Sequence, residues 1–166
     1  MIAVAGAGAM GSGCAVGRPG ILSHEAMGRH GLAGAWKPVS YELRYANGET
    51  VYPLDREPSG YPMYSADGHM CGAMMSSDTP RFAGDNFQKG NPEDHVTAAR
   101  TYPSYFGPYE VPGDRMVHRV EISLFPNLVD AARDRNIELT GDWLTLSAPI
   151  ASRGRRGRVE VHWRRT

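Results

Sequence analysis

From residue 36 onward, apolar and polar positions alternate in short runs separated by turn residues. The stretch WKPVSYELRY (36–45) alternates and ends at Asn47-Gly48, a two-residue signal for a tight hairpin. Residues 49–54 read as the return strand, with Pro53 marking its edge or end. The same period predicts strands over 60–65, 69–75, 105–111, 115–125, 133–139, 143–146 and 158–165. The turns Ala66-Asp67-Gly68, Pro112-Gly113-Asp114 and Thr140-Gly141-Asp142 separate three of these pairs. Strands joined by short turns, with almost no helix between them, specify an antiparallel all-β domain.

One segment keeps a different period. Asn91-Pro92-Glu93-Asp94 offers a capping side chain, a proline suited to the first helical position and two acids in the first turn, so a helix is expected to about Arg100. It follows a long connection over 76–90, and the pair reads as a lid over one mouth of a barrel. Eight or nine consecutive antiparallel strands close best into an up-and-down barrel with room for one small ligand. A sandwich, the competing closure, needs longer crossing connections.

Charge and composition narrow the partner. In 166 residues, Lys plus Arg (18) balances Asp plus Glu (18), so no global field recruits nucleic acid or acidic membranes. Arginines at 153, 155, 156, 158, 164 and 165 form a basic C-terminal run with few aromatics, which reads as a solvated turn. No run of 18 apolar residues is present to span a membrane. Two cysteines, Cys14 and Cys71, cannot make a disulfide framework or a zinc cluster; reduced thiols and a cytoplasmic setting are the expectation. The six histidines never fall at metal-ligand spacings, and no cofactor is expected. A homodimer is compatible with this composition.

Residues 1–30 read as a flexible or irregular extension, and 31–166 as the barrel domain. The extension contains Gly6-Ala7-Gly8-Ala9-Met10-Gly11, a match to the G-x-G-x-x-G of dinucleotide-binding turns. Such a turn needs a helix of about three turns after it, a parallel strand, and an acid roughly 20 residues on. Here Gly13, Gly17 and Pro19-Gly20 end any helix early, and no β-rich run follows before Trp36. An NAD(P)-dependent oxidoreductase is therefore the weakest reading.

Several stretches in order resemble the lipocalin-like domain family of bacterial and fungal small barrels. They are Gly34-Ala35-Trp36 with Tyr41-Glu42, Val51-Tyr52-Pro53-Leu54, Gly60-Tyr61, Pro80-Arg81-Phe82, Tyr109-Glu110-Val111, His118 through Asn127, and Gly141-Asp142 followed by Leu144-Thr145-Leu146. The resemblance spans about 31–165. It implies a barrel of eight to ten strands with an internal pocket, and members of this general kind include cyclases and isomerases of specialised metabolism. Residues 128–131 depart from the pattern, carrying Asp and Ala where a small Gly-Thr pair is usual.

The chemistry must come from polar residues on the strands. One face of 115–125 carries Met116, His118 and Val120, and the other carries Arg119, Glu121 and Ser123; the sequence leaves open which lines the cavity. An inward Glu121 beside Arg119 would suit proton transfer, and an inward His118 would serve as an acid–base or hydrogen-bonding group. Glu121, His118 and Tyr109 are the catalytic candidates. Trp36, Tyr41, Tyr64, Met74, Tyr105, Arg119, Ser123, Arg135 and Trp163 are the ligand-binding candidates, their rings offering apolar walls with polar tips. Arg133 and Arg135 could anchor a carboxylate or enolate, although alternation with Asp134 favours an outer, salt-bridged strand. The expected function is binding of an apolar or polyketide-like molecule inside the barrel, leaning towards a cofactor-independent cyclase or isomerase. A non-catalytic carrier is the alternative.

Overall fold

In a computed structural model of the chain, the described residues are Gly28, 31–152 and 154–166. The glycine motif at 6–11, Cys14 and nearly all of the N-terminal extension lie outside them. Ten strands follow: β1 (Gly34–Tyr45), β2 (Thr50–Val51), β3 (Ser59–Tyr64), β4 (His69–Met75), β5 (Ser104–Glu110), β6 (Arg115–Arg119), β7 (Ile122–Ser123), β8 (Ala132–Thr140), β9 (Trp143–Ser152) and β10 (Arg155–Arg165). A helix, α1 (Pro92–Arg100), sits between β4 and β5. All strand pairings between these elements are antiparallel. The order β10-β9-β8-β6-β5-β4-β3-β1 closes when β10 pairs back onto β1 from Trp36↔Arg165 to Tyr45↔Gly157. Eight staves thus make a closed up-and-down barrel, in which β1 meets β3 through two residue pairs, Gly34↔Tyr64 and Ala35↔Met63.

The helix forms where its capping signals place it. The Asn91 side chain accepts a hydrogen bond from the backbone N–H of Asp94 at 2.9 Å, and Pro92 occupies the first turn. Phe82 and Phe87 stack at 5.7 Å, and His95 meets both edge-on at 5.1 and 4.9 Å, tying the long connection to α1.

Two expectations about strands need correcting. The return strand expected over 49–54 is only Thr50–Val51; beyond it Pro53 and Asp55 form an isolated bridge, with Asp55 at a φ of 64°. The strand expected over 115–125 breaks in two. Its first part pairs Tyr109↔His118 with β5, and its second pairs Tyr105↔Ser123, so one extra residue is inserted between them. The insertion is a bulge: Val120 turns away to exchange bonds with Ala131 and Asp130, while the Glu121 N–H donates to the Phe106 carbonyl at 2.9 Å. Gly107 makes room for it. At a φ of 154°, a side-chain carbon there would lie 1.9 Å from the Arg119 carbonyl oxygen. Past the bulge a short 3-10 turn (Pro126–Leu128) leads to Asp130, which adopts a φ of 64°, the conformation glycine takes without strain. The departure of 128–131 from the family pattern therefore falls on a residue whose backbone favours the smaller side chain.

One end of the barrel is filled. Trp36 is fully buried there, its indole N–H donating to the Leu32 carbonyl at 3.0 Å, and Leu32, Met116, Leu144 and Val111 belong to the same buried cluster. The Arg165 guanidinium lies 4.2 Å from the Trp36 ring centroid and donates to the carbonyls of Ala33 and Gly31, fastening the chain terminus to the start of β1.

Candidate functional site

Above this floor the barrel encloses a cavity of about 510 Å³, a size suited to one small organic molecule. Apolar walls come from Met70 and Met74 on β4, Leu146 on β9, and Val159, Val161 and Trp163 on β10. The end of α1 (Ala99, Arg100) and the following Tyr102 and Pro103 border one side of it, the position expected of a lid. Leu124, Phe125 and Leu128 border another part.

The polar lining is concentrated on β5, β6 and β8. His118 is 1% exposed. Its Nδ1 lies 2.9 Å from the Tyr105 hydroxyl, its Nε2 3.2 Å from the Tyr64 hydroxyl, and its Nε2 2.7 Å from the Met116 sulfur. Burial, reinforced by the positive fields of Arg135 and Arg133, pushes its pKa down to about 3, so the ring is neutral at physiological pH. Burial likewise raises the phenols of Tyr64, Tyr105 and Tyr41 above their ordinary range, so all three remain protonated hydrogen-bond donors.

Register explains why the arginines join this group. His118 pairs with Arg133 and Met116 with Arg135 across β6 and β8, so both guanidinium groups share the inward face. Asp134 faces out and pairs with Arg115, whose Nε donates to its carboxylate at 2.9 Å. The run 133–136 is therefore not an outer salt-bridged strand: its ion pair uses Asp134, and the two arginines point the other way. Neither Arg133 nor Arg135 has a carboxylate in salt-bridge reach among the described residues, and none of the residues lining the cavity is acidic. Arg133 leaves its Nε–H buried without a hydrogen-bond partner, as does the Trp163 indole N–H.

Eight of the residues singled out from sequence line this one cavity: Tyr41, Tyr64, Met74, Tyr105, His118, Ser123, Arg135 and Trp163. Four do not. Trp36 is part of the floor. Tyr109 stands behind Tyr64, their rings edge-on at 5.0 Å, and donates to the Ser65 carbonyl at 2.9 Å. Arg119 points outward, its Nε donating to Glu110 at 2.9 Å. Glu121 is exposed beside the bulge. The two alternative faces of 115–125 are thus both partly used. The inserted residue reverses the alternation, so His118 before it and Ser123 after it reach the same lumen. Arg133 was the residue the alternation undervalued; Ile137, two positions beyond Arg135 and packed against the core, carries the same parity and marks that face as inward.

Outside the barrel, Glu42, Glu160 and His162 bring three ligand-type atoms within 4.8 Å of one another. Arg44 and Arg158 already pair with Glu160, and Arg44 with Glu42, so the cluster is neutralised by cations of the chain itself.

A family model described as a lipocalin-like domain matches residues 33–166. The chain is also 31% identical over 106 residues to a protein of Aspergillus oryzae named as a 4'-hydroxy-3'-methoxypropiophenone carrier protein; the match covers 58% of this chain and 96% of that protein. No solved structure matches the chain.

Proposed function

The chain belongs to the lipocalin-like domain family, and from that premise we propose that it holds an apolar aromatic or polyketide-like small molecule inside its barrel as a carrier. The observation that carries this reading is the lumen: about 510 Å³, walled by Met, Leu, Val and Trp, with the Tyr64 and Tyr105 hydroxyls meeting at His118 in its lining. Such a site takes an amphipathic ligand whose body fills the apolar half and whose oxygen atoms meet Tyr64, Tyr105 and Arg135. The relative named as a carrier of an aromatic ketone supports the same class of cargo for this chain.

Carrying is favoured over proton-transfer catalysis by the state of the polar groups. A general base works best with a pKa near the operating pH. His118, held down to about 3, has little appetite for a substrate proton, and Glu121 is outside the lumen. A second reading keeps the cyclase or isomerase: the phenols of Tyr64 and Tyr105, backed by the neutral imidazole, could polarise a carbonyl while the walls fold a flexible chain.

Native mass spectrometry of the protein purified from its own host, with chromatographic separation of the released molecule, tests both. A bound hydrophobic molecule recovered unchanged after incubation supports the carrier, and its conversion to an isomer of equal mass, lost in Tyr105→Phe with binding kept, supports the enzyme. A lumen empty under native conditions, with no aromatic ketone taken up on addition, refutes both.

A further inference from the structure

Among the described residues, the lumen holds two guanidinium groups with no counter-charge. Arg133 and Arg135 stand two residues apart on the inward face of β8, each opposing a buried β6 residue, His118 or Met116. The like charges repel across the short gap, and burial strips water from Arg135. Among the described residues no acidic one lines the cavity, and elsewhere on the barrel Arg44, Arg115, Arg119, Arg155 and Arg158 each have a carboxylate partner. Two further donors are left open. The Arg133 Nε–H and the Trp163 indole N–H are buried without acceptors, although buried N–H groups in folded proteins nearly always find one. Acceptors are scarce in the same wall: the imidazole nitrogens of His118 already face Tyr105 and Tyr64.

An interior so rich in donors and so poor in acceptors is incomplete without a partner that brings acceptor oxygens and negative charge. We propose that Arg133 and Arg135 form an anion anchor inside the barrel, and that the ligand is an amphipathic acid: an apolar, aromatic-sized body bearing one anionic oxygen group such as a carboxylate, enolate or phenolate. The apolar body lies against Met70, Met74, Leu146 and Val161, and the anionic group accepts from the two guanidinium forks. This inference rests on the reading of the lumen as a ligand site and names the chemistry of what enters it.

A pair of fluorescent probes separates the two claims. 8-Anilinonaphthalene-1-sulfonate carries an anion, and N-phenyl-1-naphthylamine is the same ring system without it. Both should bind in the lumen and compete with each other, the anionic probe about 10- to 100-fold more tightly, the range expected for charge-assisted hydrogen bonds in a desolvated site. Arg135→Met and Arg133→Met should each abolish most of that preference while leaving the neutral probe's affinity within about twofold. Arg115→Met, on the outer face, should change neither.

Equal affinity of the two probes for the wild-type protein overturns the anchor and leaves the ligand site standing, and needs no variant. Anionic binding that persists when the neutral probe saturates the lumen places the anion on the surface and also overturns it. If neither probe binds, the ligand-site reading fails and the anchor falls with it.

Discussion

Acidification should unfold this barrel through one histidine. An imidazole in the unfolded chain titrates near about 6.5, whereas burial holds His118 down to about 3 in the folded protein. Between those values the unfolded chain binds a proton that the folded one refuses, so stability falls as pH drops through the window and is recovered as pH rises. The contribution is complete above the unfolded pKa. At pH 5 the imbalance amounts to about 2 kcal/mol relative to pH 7, and it grows by about 1.4 kcal/mol for each further pH unit until the folded pKa is reached.

Urea unfolding of wild type and His118→Gln at pH 7, 6 and 5 isolates this contribution, because every other residue is common to the two proteins. The variant starts lower at pH 7, having lost its fit between Tyr105 and Tyr64, but its stability should decline less steeply. The two curves should approach each other by about 2 kcal/mol between pH 7 and pH 5. Parallel curves would refute the reasoning: His118 would then accept a proton in the folded state as readily as in the unfolded one, and the lumen would be wet.

Three other outcomes follow from the geometry. Gly107→Ala should lose at least about 3 kcal/mol of unfolding free energy, or fail to fold, since its new carbon would meet the Arg119 carbonyl at 1.9 Å; a urea midpoint unchanged from wild type would remove the bulge from the account. Arg165→Lys should lower stability by about 1–2 kcal/mol, because an ammonium cannot both cover the Trp36 ring and reach the carbonyls of Ala33 and Gly31, and the loss should appear as a lower melting temperature with probe binding intact. Glu121→Gln should leave both stability and probe affinity within experimental error, because the side chain is exposed and away from the lumen; weakened binding would return Glu121 to the site.

The period-2 pattern was enough to place β4 at 69–75, as the cap residues were for α1 at 92–100, because hairpin turns and helix caps are local signals carried by a few adjacent residues. Most of the residues it singled out also line the cavity, since a ring or a polar group on a strand of a ligand-holding barrel has only two directions to point. What it could not supply was the direction itself. The 115–125 run reads as one unbroken strand, and nothing local announces that Val120 leaves the ladder to pair with 130–131. The clue is remote: Gly107, on the neighbouring strand, is the residue that admits the Arg119 carbonyl. Trp36 shows the same limit. Its alternation matches a lumen residue, but its depth along the barrel axis depends on the β1–β10 closure and on Arg165, at the far end of the sequence.

Position along the axis also explains how one small cavity reconciles two arginines with a neutral histidine. His118 and Arg133 are cross-strand partners, so any protonation of the imidazole would set a third positive charge beside two that already lack a counter-ion. The arginines cannot give up their protons at physiological pH, and the histidine can, so the histidine yields. Its ring is then free to receive a hydrogen bond from one phenol while donating to the Met116 sulfur or the other phenol. That arrangement fixes Tyr105 and Tyr64 in the wall without adding charge. A carboxylate placed opposite this histidine would favour its charged form, and the carboxylate's own negative charge would quench the field that the arginines project into the lumen. Leaving that field unquenched inside an apolar enclosure is a poor arrangement for an empty barrel and a good one for a barrel that closes around an acid.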